Sequence, residues 1–498
     1  MRIRLGMALG LTFALLRAGD SPQADTKLVD LNVVALDNHG QPVKNLTADD
    51  FQIFDAGKKQ KITLFRANSS DAGTEAPLRA HEFSNRSGST ITHATVILFD
   101  LMNEGFATRG VATSKLTQAL ESLDSADDVY LYLLTVEGRL FAVHGITGEE
   151  AQGAAWTREI RPLMDRAMRM VVRNRPVDID VAARAVLTYR ALAQLAGELS
   201  TAPGRKDVVW ISDGVPLALG PGRSDTGGYV DFTPLLRQLS GGFERSRVAI
   251  YPARQVILGG PDGIGDTSGS GATGGEGTGV QSLATLNQFA ALTGGRQDGG
   301  KNIGGAIRQA MSDLRFSYQI GYYQPAASRD GKFHKLRIEC SRKGVRILAK
   351  TGYYAWRDAP GSATEQAIQA TAPLPFDATE IGLRGSLAPE PKDTSALRVD
   401  VRIDANDVAF AEKDGEYIGQ LRVAVVAYRA DGLVDTTPAV PLELKLDAQE
   451  HDEALREGIP FSQSMRPRGA VSRLRVIAYD RGSNAVGSLT MPVKQPAP

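Results

Sequence analysis

Two carboxylates stand where short apolar runs end, and both are suited to binding chemistry. Asp100 closes the run that begins at Ala94, and Asp213 follows the segment Asp207–Ser212. Apolar runs of this kind suit strands that are buried on both faces of a parallel sheet. A carboxylate just past such a strand lies at the carboxyl edge, where open α/β sheets bind ligands. Two carboxylates at that edge could converge on one cation or on one protein partner.

The elements that would position these carboxylates alternate between strand and helix patterns from about residue 92 to 323. Pro162 is expected to break or kink the predicted helix at 148–170. Repeated alternation implies right-handed crossovers and a mainly parallel, doubly wound α/β sheet. Strands are predicted at 94–100, 128–136, 138–144, 207–212, 246–252 and 316–323, and helices near 111–123, 148–170, 181–199, 232–239, 282–293 and 302–314.

The amino terminus has the pattern of an export signal. Met1–Arg4 supplies positive charge, and Leu5–Leu16 is an apolar core that is shorter than the roughly 20 residues of a membrane span. We predict a signal peptide over residues 1–24 that is cut between Ala18 and Ala24. The mature chain is then secreted or held in the periplasm or cell envelope, with no membrane span. A retained amino-terminal anchor is the alternative.

The rest of the chain divides by its patterns. Apolar runs separated by turns predict a small β unit at 25–66, and period-two alternation predicts a β-sandwich at 393–498. Polar stretches at 67–91 and 356–392 are interpreted as linkers on either side of an α/β domain at 92–355. The glycine-rich segment 259–279 is expected to form a mobile surface loop.

Composition excludes several classes of function. The 498 residues are too many for one core, and 57 basic residues balance 57 acidic ones. A zero net charge argues against nucleic-acid binding. Cys340 is the only cysteine, so no intramolecular disulfide can form, and its place in a strand pattern favours packing.

Motifs of common enzyme classes are missing or incomplete. The six histidines are scattered without a zinc spacing, and no G-x-S-x-G nucleophile elbow occurs. Gly269–Gly274 has dinucleotide-binding spacing but no buried strand before it. Gly295–Lys301 is similar to a phosphate loop, yet Asn302 stands where Ser or Thr should hold Mg²⁺. We therefore predict that the protein is not an enzyme.

The order of these segments resembles the von Willebrand factor A (VWA) superfamily, and more closely the exported VWFA-related domain proteins of acidobacteria. The resemblance covers roughly residues 27–355 and implies a Rossmann-like VWA domain. It is carried by Val29–Val34, Leu46–Phe54, Pro203–Gly214, Leu292–Arg296, Tyr318–Tyr323 and Lys350–Tyr354.

The superfamily commonly binds a divalent cation, and the resemblance implies which residues would do so here. Its Asp-x-Ser-x-Ser motif corresponds to Asp100–Glu104, where Met102 replaces the first serine and Glu104 the second. Thr188 is the best candidate for the conserved threonine, although it lies within a predicted helix, and Asp213 matches the later aspartate. The implied metal ligands are thus Asp100, Glu104, Thr188 and Asp213, for Mg²⁺, Mn²⁺ or Ca²⁺.

Two interpretations of this edge stay open. In the first, a protein-interaction or adhesion module binds another protein, through an acidic residue of the partner if metal is bound, and Asn103, Ser212 and Gly214 contact that partner. In the second, Asp100 and Asp213 cap helices or strand ends without metal, and the protein is a structural scaffold of the cell envelope.

Overall fold

The chain folds as a mixed α/β protein with more residues in strands than in helices. The predicted signal peptide and most of the glycine-rich segment 259–279 lie outside the described residues. The computed structural model describes residues 26–69, 78–79, 81–86, 93–104, 106–123, 128–146, 156–171, 180–200, 204–219, 230–254, 278–296, 302–325, 328–355, 362–374, 377–391, 393–429 and 434–493.

The strands in the described residues are β1 (Thr26–Leu36), β2 (Phe51–Asp55), β3 (Lys58–Gln60), β4 (Leu64–Ser69), β5 (Glu82–Ser84), β6 (His93–Asp100), β7 (Val129–Leu134), β8 (Leu140–His144), β9 (Arg205–Ile211), β10 (Ala218–Leu219), β11 (Val230–Asp231), β12 (Val248–Ala253), β13 (Phe316–Pro325), β14 (Phe333–Cys340), β15 (Arg346–Leu348), β16 (Gly352–Tyr354), β17 (Leu383–Glu390), β18 (Asp393–Ile403), β19 (Ala411–Lys413), β20 (Glu416–Arg429), β21 (Val434–Thr436), β22 (Val440–Leu446), β23 (Ile459–Met465), β24 (Val471–Asp480) and β25 (Val486–Pro492). The α-helices are α1 (Phe106–Glu121), α2 (Ile160–Val171), α3 (Val181–Leu199), α4 (Thr233–Arg245), α5 (Thr278–Thr293), α6 (Ile303–Arg315), α7 (Ser362–Thr371) and α8 (Ala448–Glu457).

A five-stranded sheet with helices on both faces forms the central unit. Its order is β12-β9-β6-β7-β8; the first four strands are parallel and β8 is antiparallel to β7. Alternation along β6 explains why it is apolar throughout: Val96 and Leu98 face the core under α3, α4 and α5. Ile97 and Phe99 face the core under α1, α2 and α6. The strands predicted at 94–100, 128–136, 138–144, 207–212 and 246–252 are present. The predicted helices other than 148–170 are present too, with ends shifted by up to six residues.

Pro162 does not kink a long second helix. Residues 147–155 lie outside the described part, a 3₁₀ turn covers Trp156–Glu159, and α2 begins at Ile160. Pro162 therefore lies in the first turn of α2, where a missing N–H costs no intrahelical hydrogen bond.

The amino-terminal β unit is completed by strands from far along the chain. β1 pairs with β13 over Thr26↔Pro325 to Val33↔Tyr318, and its last residues pair with β15. β2 pairs with β14, and the two four-stranded sheets share one hydrophobic core. This corrects the assignment of residues 316–355 to the α/β domain predicted at 92–355. Strand patterns were visible there, but a pattern does not identify the pairing partner.

The carboxy-terminal unit has two antiparallel sheets around one core, and it starts earlier than predicted. The predicted linker 356–392 contains α7 and β17. The predicted linker 67–91 contains β5, which pairs with β17 and adds a fourth strand to that sheet. Asn85 fixes this strand, because its Nδ2 donates to the carbonyls of Ala378 and Ile381 at 2.7 and 2.9 Å. Neither stretch is simply a linker.

Ion pairs hold the three units together at one junction. Arg247 Nη1 lies 2.6 Å from Glu380 Oε1, and its Nη2 lies 3.4 Å from Asp30 Oδ2. Glu380 also accepts the backbone N–H groups of Gly204 at 3.1 Å and Val486 at 2.9 Å. The contacts of Arg247 and Glu380 therefore reach the amino-terminal, central and carboxy-terminal units.

Lys206→Met is expected to raise the free energy of unfolding at pH 7, and this gain should shrink as the pH rises. Lys206 is only 2% exposed; burial lowers its pKa to about 7, Glu380 opposes that shift and Arg247 adds to it. Between about pH 7 and 10.5 only the unfolded chain keeps the proton, so wild-type stability rises with pH by about 1.4 kcal/mol per unit. Methionine has no such titration. Urea unfolding of both proteins across this range measures the difference, and a difference that stays constant with pH would contradict the prediction.

Candidate functional site

The candidate site lies where the connections of the central sheet change direction. From β6 the chain passes to β7 on one side, and after β8 it returns to β9 on the other side. The carboxyl ends of β6 and β9 are therefore neighbours at a point where the strand order reverses. Open α/β sheets bind ligands in the crevice that forms at such a point. Residues 101–104 follow β6 there, and residues 212–214 follow β9.

Asp100 is the centre of a buried hydrogen-bond network. Its Oδ1 accepts the backbone N–H of Asn103 at 3.0 Å. Its Oδ2 accepts Asn103 Nδ2 at 2.8 Å, Ser212 Oγ at 2.8 Å and Trp210 Nε1 at 3.1 Å. Burial raises the pKa of the Asp100 carboxyl, and hydrogen bonds from Asn103, Ser212 and Trp210 oppose that rise. Asp100 thus accepts four hydrogen bonds, three of them at Oδ2, and a carboxylate has about four acceptor positions in all.

The side chain of Asn103 joins Asp100 to α3. Asn103 Nδ2 lies 2.8 Å from Asp100 Oδ2 and 2.8 Å from Thr188 Oγ1. The carboxylate can only accept, and the Thr188 hydroxyl donates its hydrogen to the carbonyl of Arg184 at 2.9 Å. The amide nitrogen, rather than the amide oxygen, must therefore face both groups. Asn103 was predicted to contact a partner, but its amide is directed into the protein.

Met102 and Glu104 occupy the two positions where the resemblance implies serine. Met102 Sδ lies 3.8 Å from Thr188 Oγ1, and a thioether is a poor ligand for a hard cation. Glu104 is buried, and its negative charge acts on Arg109. Burial lowers the pKa of the Arg109 guanidinium, while Glu104 and Asp100 oppose that shift. The Arg109 side chain thus already supplies a positive charge close to Glu104 and Asp100.

Asp213 is held by an arginine from the neighbouring strand end. Its Oδ1 accepts Arg254 Nε at 2.9 Å, and Arg254 follows β12. Gly214 N–H donates to Ser212 Oγ at 2.9 Å, which fixes the turn after β9. Gly214 has φ of +88°, a conformation that glycine adopts without strain. Of the predicted metal ligands, Asp100 and Thr188 are joined through Asn103, whereas Asp213 is paired with Arg254.

This arrangement does not fit a divalent cation. A cation that bridged Asp100 Oδ2 and Thr188 Oγ1 would have to replace the Asn103 nitrogen and the hydrogen bonds that this nitrogen donates to both oxygens. Within the described residues, no group of three or more His, Cys, Asp or Glu side chains could hold a metal ion. The Mg²⁺, Mn²⁺ or Ca²⁺ site implied by the resemblance therefore has no support in the geometry.

Sequence reasoning missed three residues of this site, namely Trp210, Arg109 and Arg254. A signal was available for Trp210, because residues two apart in a strand point to the same face and Ser212 was already a candidate. Arg109 and Arg254 lie outside any motif. Their roles depend on which strand ends become neighbours, and the sequence pattern does not give that order.

A second polar cluster ties the strands of the amino-terminal unit together. Asp55 Oδ2 accepts the hydroxyls of Tyr322 at 2.8 Å and Tyr353 at 3.0 Å. Asp55 Oδ1 lies 3.0 Å from His334 Nδ1. These four residues come from β2, β13, β14 and β16, so the cluster links the two sheets of that unit.

Comparison with protein-family models finds no matching family, and comparison with curated proteins finds no match. Among the helices in the described parts of the chain, none has the length and apolar character needed to cross a membrane.

Proposed function

We propose that the protein is an exported, non-enzymatic module that binds another protein at the carboxyl edge of a VWA-type, doubly wound central sheet, and that it does so without a divalent cation. The export pattern at the amino terminus and the resemblance of residues 27–355 support this proposal. So do the position of the site at a strand-order reversal and the helices on both faces of the sheet.

The observation that carries the proposal is the contrast between the inside and the outside of this edge. Asp100 and Ser212 are fully buried, and their polar atoms serve the protein itself. The surface above them is charged. We call it the carboxyl-edge surface, and it consists of Glu137, Arg139, Asp213 and Arg254.

The carboxyl-edge surface is built on rigid supports. Glu137 and Arg139 lie in the turn between β7 and β8, where Gly138 has φ of +77° and a Cβ would lie 2.8 Å from Leu187 Cβ. The side chain of Arg139 is 78% exposed, although its Nη2 lies 3.9 Å from Glu137 Oε2, so of these four residues it is the best placed to pair with an acidic residue of a partner. Charged groups at the margin of an interface steer association and make it sensitive to salt.

Arg139→Glu is expected to weaken binding of the partner by about tenfold, mainly through slower association. Cross-linking of the immobilised protein in the exported fraction of its source identifies the partner, and titration with the purified partner measures the affinity. Lys59→Glu is the matched control, because Lys59 is an exposed lysine on β3 of the amino-terminal unit. Equal affinity of the wild type and Arg139→Glu would contradict the proposal, and so would loss of wild-type binding in EDTA.

A structural scaffold of the cell envelope is the second candidate function. The interlocking of the units favours it, because β5 completes a carboxy-terminal sheet and Arg247 and Glu380 connect all three units. A scaffold predicts that assembly depends on surfaces of the outer units. In that case Arg139→Glu leaves assembly unchanged.

A further inference from the structure

We infer that the side-chain amide of Asn103 takes the place of a cation between Asp100 and Thr188, so that the protein carries a built-in substitute for a metal ion. The inference concerns the same sheet edge as the proposed function. It does not depend on that function, because its readout is the stability of the chain.

The geometry around the Asn103 nitrogen is that of a small positive centre among oxygens. It lies 2.8 Å from Asp100 Oδ2 and 2.8 Å from Thr188 Oγ1, and Ser212 Oγ contacts the same carboxylate oxygen at 2.8 Å. Hard cations select oxygen ligands of these types. Here two N–H groups provide the positive ends that a cation would otherwise supply.

The substitute also explains how a fully buried carboxylate is tolerated at Asp100. An isolated buried carboxylate is costly unless it is paired or hydrogen-bonded. The pairing comes from Asn103, Ser212 and Trp210, which are part of the fold itself. The loop after β6 is consequently tied to α3 without needing an ion.

A single substitution of nearly equal size can turn the amide bridge at Asn103 into a site that needs a cation. Asn103→Asp replaces the bridging nitrogen with an oxygen, which places a second carboxylate against Asp100. Two carboxylates sharing a site repel each other unless a proton or a cation lies between them. The variant would bring oxygens from positions 100, 103 and 188 together, and Ser212 Oγ would still contact the Asp100 oxygen.

The test is the thermal unfolding midpoint of the full chain in EDTA and in millimolar Mg²⁺, Mn²⁺ or Ca²⁺. We expect no shift for the wild type. Asn103→Asp should unfold about 5 °C or more below the wild type in EDTA, and at least one of the ions should restore much of the loss in a saturable way. Asn484→Asp is the charge-matched control. Asn484 is exposed and accepts the Tyr479 hydroxyl through Oδ1, an oxygen that the substitution keeps.

Two outcomes would overturn the inference. One is a rise in the wild-type midpoint with a divalent ion that disappears in Asp100→Asn, since the site would then bind metal as it stands. The comparison of the wild type with Asp100→Asn also tests the inference if Asn103→Asp fails to fold. The other is a destabilised Asn103→Asp that none of the three ions restores, because a cation would then be unable to supply the positive charge that the amide supplies between these oxygens.

Discussion

Arg296→Ala is expected to lower the free energy of unfolding by about 3–5 kcal/mol, because it leaves a buried carboxylate without its main partner. Arg296 donates to both oxygens of Asp313, from Nε at 2.7 Å and from Nη2 at 2.6 Å. Asp313 is fully buried on α6, and Tyr251 is its other described donor, at 3.1 Å. Arg296 Nη2 also donates to the carbonyl of Gly40 at 3.1 Å, so the substitution loosens the amino-terminal unit from the central one.

Urea unfolding followed by circular dichroism measures this loss. Arg161→Ala is the control, because the Arg161–Glu121 pair is also bidentate but lies at the surface, where ion pairs contribute little. The double variant Arg296→Met with Asp313→Leu should be more stable than Arg296→Ala, since it removes both charges from the interior. A loss for Arg296→Ala as small as that for Arg161→Ala would show that Asp313 finds another partner.

Arg475→Met is expected to destabilise the carboxy-terminal unit by about 3–5 kcal/mol and to release α7 from its surface. Arg475 is 2% exposed, and its Nη1 donates to the carbonyls of Thr371, Ala372 and Leu374 at 3.1, 3.0 and 2.7 Å. These carbonyls lie at the carboxyl end of α7, where the helix dipole favours a cation. Methionine keeps much of the apolar stem but has no donor. The Leu374 carbonyl would then lose its described donor, while the Ala372 carbonyl keeps the Tyr428 hydroxyl and the Thr371 carbonyl keeps the backbone N–H of Leu374.

Hydrogen exchange is the most direct readout, because it reports opening of α7 separately from unfolding of the whole chain. Exchange in Ser362–Thr371 should become faster in Arg475→Met. Arg473→Met is the matched control, since both arginines come from β24 and contact the ring of Tyr428, but Arg473 is exposed. Unchanged protection of α7 in Arg475→Met would mean that apolar contacts alone hold the helix.

The central sheet could be read from the sequence because its strands are short apolar runs with helical patterns between them. β6 was predicted with Asp100 at its end, β9 was predicted with Asp213 shortly after it, and α3 was predicted with its bounds of Val181 and Leu199. Local signals define α3 well. Asp180 caps its amino end by accepting the N–H of Ala182, and a buried apolar stripe follows.

The pairing of distant segments could not be read in the same way. β13 looks like one more strand of the alternating region, yet it pairs with β1 and β4 in another sheet. β5 has three residues in a polar stretch, which is too short for any periodicity to appear. In both cases the deciding contacts join residues far apart in the chain, whereas sequence patterns report local preference.

In the candidate site, too, local features could be predicted from the sequence and long-range contacts could not. Asp100 and Ser212 were identified because they end predicted strands, and Thr188 because of the resemblance. The role of Asn103 could not be identified from the sequence, because its amide bridges Asp100 to a hydroxyl 85 residues further along. Its direction depends on Thr188 giving its own hydrogen to Arg184, and this is a property of the folded helix.

The pairing of the first strand with a late one sets the order in which the chain can fold. β1 begins at Thr26 but finds its partner only at β13, where Thr26 lies opposite Pro325. While a ribosome releases the chain from its amino end, β1 has no partner strand until the whole central unit has followed it. The central sheet can close earlier, because its strands all precede α5. The amino-terminal unit is thus among the last parts to form, and loop closure over such a separation slows its folding.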